Sequence, residues 1–241
     1  SLNTIKTDCI VIGIYENSKP TDEAIELDAN GIVTQALDSG DISGKAGSVL
    51  LVGSPAGLSA KRLLLLGLGK KPIGEKDFRQ AIDTAIKTLK PLNIGDVLIA
   101  LPFNTLSNRD LSWSIYCILS EFHSQLYRSD ALKNQKEPST KIQKISFYIP
   151  SEDRAIAREA LHRAKAITDG MTLAQDLGNL PANICTPTYL AKQAKTLAQT
   201  YKFGTEILDR KQIESLKMGC FLSVAKGSDE PPKFIVLKHM K

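Results

Sequence analysis

The chain alternates short apolar runs with longer stretches in which apolar residues return every three or four positions. Runs rich in Val, Ile and Leu at 9–14, 49–52, 62–66, 97–101 and 145–149, punctuated by Gly or Pro, predict strands. Several are apolar at every position, so both faces need cover, which favours a sheet sandwiched between helices. Helical periodicity predicts helices over 22–37, 75–89 and 107–128. In the second, Phe78, Ile82, Ile86 and Leu89 form one apolar stripe with Lys76, Asp83 and Lys87 turned outward, and Pro91 stops it. Asn30-Gly31 interrupts the first and predicts a short helix, a turn and a second helix.

Apolar residues vanish over 133–140, which predicts an exposed loop before the last strand of this half. After Pro150 the pattern changes. Ser151 reads as an N-cap with Glu152 and Asp153 in the first turn, and the helix it opens runs to Leu177 on the stripe Ile156, Ala160, Ala164, Ile167, Met171 and Ala174. Thr186-Pro187 predicts a capped helix over 188–201, followed by a strand over 205–208. Asp209 is expected to cap a helix over 210–217 that Gly219 ends, and 234–237 reads as the final strand. The expected organisation is an α/β domain over 1–150, a connector helix over 151–177 and the beginning of a second α/β domain over 178–241.

Composition narrows the class. With 241 residues, 42% hydrophobic and 24% charged, there is enough apolar material to bury a core, and no apolar run approaches the ~20 residues that span a bilayer. Ser1-Leu2-Asn3-Thr4 lacks the charged and apolar regions of a signal peptide, so a soluble, cytoplasmic protein with no membrane partner is expected. Cysteines 9, 117, 185 and 220 form no C-x-x-C pair and read as reduced. The net charge of +5 is spread out, with 17 basic and 16 acidic groups in 1–150, and so predicts no dense basic stripe.

Spacing alone assigns no catalytic constellation. Gly67-Leu68-Gly69 follows a strand, yet Pro72 stands where a dinucleotide fingerprint needs its third glycine. Gly40 to Lys45 is one residue short of a P-loop, and Ala46 replaces the hydroxyl that would hold magnesium. His123, His162 and His239 have no metal-ligand spacing, and Ser54 and Ser223 lie in no nucleophile elbow. Cys185 sits near a helix start without a histidine base nearby in sequence, so structural burial is expected. Trp113, Tyr116 and Phe122 share a helix and read as core.

Two segments carry a resemblance. Asp176-Leu177-Gly178-Asn179-Leu180-Pro181-Ala182-Asn183-Ile184-Cys185-Thr186-Pro187-Thr188-Tyr189-Leu190-Ala191 closely resembles the N-x-P-x-N-x-x-T-P-x-x-L-A segment that opens the catalytic domain of the leucyl aminopeptidases, the cytosol aminopeptidase (PepA) family of two-metal exopeptidases. Met218 to Leu237, with Gly227-Ser228-Asp229-Glu230-Pro231-Pro232, is similar to a second block of that family in the right order. Gly44-Lys45-Ala46-Gly47 and 62–70 are similar to its N-terminal domain.

The resemblance implies a macro-domain-like N-terminal domain, a mixed sheet flanked by helices on both faces. It implies a parent enzyme that removes N-terminal residues from peptides with two divalent metal ions, Mn or Zn, as a homohexamer. Family members are roughly twice this long. Their K-G-x-x-[FY]-D-[ST]-G-G and N-T-D-A-E-G-R segments, which supply metal ligands and the catalytic Lys and Arg, do not occur here. The expectation is therefore no catalytic, cofactor-binding or metal residue in this chain, no bound metal and no activity by the chain alone. Asp229-Glu230, an adjacent acidic pair before a Pro-Pro turn, reads as structural. The C-terminal portion is expected to leave an apolar edge exposed. The alternative is a macro-like binding or assembly module for a nucleotide, DNA or a protein; the failed glycine motifs and the near-neutral first half weigh against nucleotide and DNA.

Overall fold

The computed structural model describes all residues except 18, 19, 29, 104, 105, 136–139, 240 and 241. Four expected strands pair in parallel: β1 (Cys9–Tyr15), β3 (Arg62–Gly69), β4 (Asp96–Ala100) and β5 (Lys144–Phe147). β2 (Val49–Gly53) joins β3 antiparallel, giving the order β2-β3-β1-β4-β5. The strand period of two divides the core. Cys9, Val11, Leu64, Leu66, Val97 and Ile99 enter one buried cluster, and Ile10, Ile12, Leu63, Leu65, Leu98 and Ala100 enter the other. Fully burying one such Leu or Ile stabilises by about 1.5–3 kcal/mol. The unbroken apolar runs are thus a consequence of helices on both faces.

On the first face lie α3 (Glu75–Leu89) and α4 (Leu111–Leu126), through Phe78, Ile82, Ile86, Leu89, Ile115, Ile118 and Phe122. The second face is covered by α1 (Asp22–Leu27) and α2 (Ile32–Asp38), through Ala24, Leu27, Val33 and Ala36. The break between α1 and α2 falls at Gly31, which holds a left-handed φ of 69° that a Cβ would disfavour. α4 is shorter than the sequence predicts, because the Asp110 side chain accepts from the Trp113 N–H at 2.8 Å and starts the helix there. The expected loop over 133–140 falls partly outside the described residues.

The chain divides into two compact units, Ser1–Thr172 and Leu173–Lys241. α5 (Arg154–Asn179) carries Ala157, Ala160 and Ala164 into the first cluster. Its expected Ser151 cap is not formed: Ser151–Asp153 is a 3-10 turn, and the Ser151 hydroxyl donates to Glu152 Oε2. In the second unit, α6 (Pro187–Tyr201) starts at Thr186, whose hydroxyl accepts from the Tyr189 N–H. β6 (Gly204–Leu208) pairs antiparallel with β7 (Phe234–Lys238). α7 (Arg210–Ser215) opens with a reciprocal capping box between Asp209 and Gln212. Gly219 does not end a helix. It begins α8 (Gly219–Ala225), and the reversal before it is made by Lys217 at φ 54°.

Candidate functional site

The carboxyl ends of parallel strands are where α/β sheets bind ligands, and here the two glycine segments meet there. The Gly47 N–H donates to the Gly67 carbonyl at 2.9 Å, the Gly67 N–H to Ser48 at 2.7 Å, and the Gly69 N–H to Gly44 at 2.8 Å. The Glu16 N–H, leaving β1, donates to the Gly69 carbonyl. A Cβ on Gly67 would lie 2.0 Å from the Lys45 carbonyl oxygen, and one on Gly44 would lie 2.3 Å from that of Tyr15. The glycines are therefore spent on close backbone crossing, and the Gly47, Gly67 and Gly69 N–H groups are committed within the chain. The next helix, α3, starts with Glu75 and Asp77 in its first turn, which repels an anion. This geometry fits no phosphate cradle.

Each histidine has its own separate surroundings. His123 Nδ1 lies 3.5 Å from the Thr172 hydroxyl and its ring meets Tyr127, whereas His239 packs edge-on against Phe203 at 5.2 Å. His162 lines a mostly apolar groove of about 410 Å³ with Leu119, Leu126, Ile142, Ile145 and Leu161. Cys9 and Cys117 are buried, and burial pushes their thiols up to about 12 and about 11. Cys185 is half-buried rather than buried as expected, and Cys220 is exposed. Ser54 sits in a turn at φ 49°, and the Ser223 hydroxyl donates to the Cys220 carbonyl within α8.

The described residues do not fit a two-metal centre, which needs several converging carboxylates. Asp209 is used as a cap, Glu206 pairs with Lys238 at 2.9 Å, and Asp229 and Glu230 are exposed on a turn where the Glu230 N–H donates to Ser228 Oγ. Among the described residues no group of three or more His, Cys, Asp or Glu side chains is placed to hold an ion.

Two clusters were not legible from spacing. Trp113 is half-buried, with the Arg79 and Arg109 guanidinium carbons 5.2 and 5.1 Å from its ring centroid. Glu75 accepts from both arginines, and its carboxyl is held below the usual range, first by Arg109. The second is an open cleft of about 920 Å³ lined by Lys87, Lys90, Arg128 and Lys141 together with Asp83. These cations come from α3, the end of α4 and the approach to β5, so a charge that looks dispersed along the chain is partly gathered in space. Lys87 pairs with Asp83 at 2.7 Å, and Lys90 donates to the Gln125 carbonyl that α4 leaves open.

The sequence model of the cytosol aminopeptidase family, N-terminal domain, matches residues 11–136, and that of the family's catalytic domain matches 172–241. A probable cytosol aminopeptidase of Herminiimonas arsenicoxydans is 48% identical over 242 residues, covering 100% of this chain and 48% of that protein. One from Nitrosospira multiformis is 42% identical, covering 96% and 46%. The chain spans about half the length of the curated relatives it matches. Among solved structures, a mutant of tomato leucine aminopeptidase is similar at TM-score 0.75 and 26% identity, covering 98% of this chain and 49% of that one. The bottromycin maturation enzyme BotP in complex with Mn shares the fold at TM-score 0.71 and 19% identity, covering 96% and 45%. No helix among the described residues is long and apolar enough to cross a membrane. With both domain models matched in order along it, the chain belongs to the cytosol aminopeptidase family.

Proposed function

We propose that this chain is the N-terminal portion of a cytoplasmic, metal-dependent aminopeptidase that removes N-terminal residues from peptides by hydrolysis at a pair of divalent ions. The observation that carries the reading is the ordered match to both family domains, at 48% identity to a probable cytosol aminopeptidase. In this reading 1–150 is the macro-like domain, 151–177 the connector and 178–241 the opening of the catalytic domain. The donor set described above does not fit the metal pair, so the ligands and catalytic groups belong to segments outside these residues. The chain's own contribution is structural: a folded N-terminal unit, and α6 with the β6–β7 pair of the catalytic domain. Whole copies of the protein are proposed to assemble as a homohexamer. The test is incubation of the homogeneous chain with manganese and a chromogenic leucine amide. No release is expected, and metal-dependent turnover would overturn the reading.

A second reading, binding of DNA or another polyanion by the N-terminal unit, draws on the cleft of Lys87, Lys90, Arg128 and Lys141. A DNA shift assay at rising salt tests it: a phosphate-binding cleft loses affinity steeply as salt is raised.

A further inference from the structure

The sheet of the N-terminal unit ends at β2, and its outer edge differs from the molecule's other sheet edges. Val49-Leu50-Leu51-Val52-Gly53 holds no charge and no proline. Edge strands are normally guarded by lysine, proline or a bulge against pairing with another chain. At the opposite edge, β5 begins with exposed Lys144, which pairs with Asp96. In the second unit, β6 and β7 carry the Glu206–Lys238 ion pair. β2 alone among these is bare.

Its parity fixes which groups are free. Ser48 accepts from the Gly67 N–H and the Ser54 N–H donates to Lys61, so the even-numbered positions hydrogen-bond to β3 in the register Leu50 opposite Leu65. The N–H and C=O groups of Val49, Leu51 and Gly53 therefore point outward. The half-exposed side chains are already seated: Val49 and Leu51 pack on one core cluster, Leu50 and Val52 on the other. What the edge lacks among the described residues is a backbone partner rather than a hydrophobic cover. At Gly53 a Cβ would meet nothing within 4 Å, leaving room for another backbone to approach.

We propose that β2 pairs antiparallel with β2 of a second copy of this chain, about a two-fold axis through Leu51. The strand fits itself. Leu51 faces Leu51, Val49 faces Gly53, and each of these outward pairs exchanges its N–H and C=O groups. Such an isologous contact places every residue opposite its own counterpart's neighbourhood, so any charge near the axis would meet its like. β2 brings none, whereas β5 carries the charge of Lys144 on its edge strand. The two sheets become one continuous sheet, with the α3 layers of both copies on the same face. This inference stands apart from the catalytic reading, since its readout is assembly and not turnover.

The experiment is sedimentation of the chain over a concentration series, with hydrogen exchange resolved at single amides. Dimer is expected to form reversibly, and the Val49, Leu51 and Gly53 amides to gain protection with concentration while Leu50 and Val52 are protected throughout. Gly53→Lys places a lysine on the edge at an open position, so it leaves the fold intact; Leu51→Pro removes an outward N–H and no bond to β3. Each is expected to raise the dimer dissociation constant roughly tenfold or more, with unchanged circular dichroism. A chain monomeric at every concentration overturns the proposal. So does an oligomer indifferent to Gly53→Lys, or protection of the outward amides in the dilute monomer, which would mean the chain's own residues cover this edge.

Discussion

Gly67→Ala tests the reading of the glycine segments as a backbone crossing. The new methyl would sit 2.0 Å from the Lys45 carbonyl oxygen, 2.2 Å from Ser48 Oγ and 2.9 Å from the Gly44 carbonyl carbon. The Ser48 hydroxyl can rotate away, but the Lys45 carbonyl cannot without pulling its loop from β3. Overpacking of this kind costs about 1–3 kcal/mol. Loosening the Gly47-to-Gly67 and Gly67-to-Ser48 hydrogen bonds adds about 1 kcal/mol each. The expected loss is about 3–5 kcal/mol, or roughly 6–20 °C in Tm for a unit of this size. Urea denaturation followed by fluorescence of the single tryptophan, Trp113, reports on this unit. Gly170→Ala is the control. It lies exposed in α5 with nothing within 4 Å of a new Cβ and should gain about 0.5–1 kcal/mol from helix propensity. A Gly67→Ala loss below about 1 kcal/mol would refute the crossing as a steric requirement.

Three further outcomes follow from charge and burial. Burial raises the Glu23 pKa, and its Oε2 has no hydrogen-bond partner among the described residues, so ionisation destabilises the fold as pH rises through the folded value; Glu23→Gln should raise Tm at neutral pH and not below pH ~4. Asp8 is held at about 2 by Lys61 and by the Gly95 N–H, so its stabilisation is present above its ordinary value near 3.8 and disappears as pH falls through about 2. Asp8→Asn should lower stability at neutral pH and flatten the acid limb of a pH–stability curve. Finally, a thiol reagent at neutral pH should modify Cys220 fast, Cys185 more slowly, and Cys9 and Cys117 only after denaturation, because burial disfavours both thiolates.

The layered sheet was legible because its evidence is local. Strands such as Leu63 to Leu66 are apolar on both faces, and α3 has a clean stripe ended before Pro91, so each element announces its own burial. α8 was not legible: its Val224 is 85% exposed, so no buried stripe marks it, and the glycine that suggests a stop stands at its first position. The real reversal uses Lys217, a residue type with no preference for a left-handed φ. Gly44, Gly67 and Gly69 were visible as glycines, but only the register of β2 and β3 shows that they serve a crossing. The Lys87, Lys90, Arg128 and Lys141 cleft and the Trp113 arginine pair join distant segments, which no spacing rule detects. The resemblance at 176–191 and 218–237 pointed to the family directly, while the residues there fold as turns at Pro181, the Thr186 cap of α6, α8 and the β7 strand that pairs antiparallel with β6.

The central claim is that this chain is a scaffold portion whose hydrolytic centre is built from other residues. The measurement that tests it most directly is leucine amide hydrolysis by the purified chain, with and without added manganese, against a metal-only blank. The account predicts rates equal to the blank in both. Saturable release that requires manganese and is abolished by chelation would contradict it.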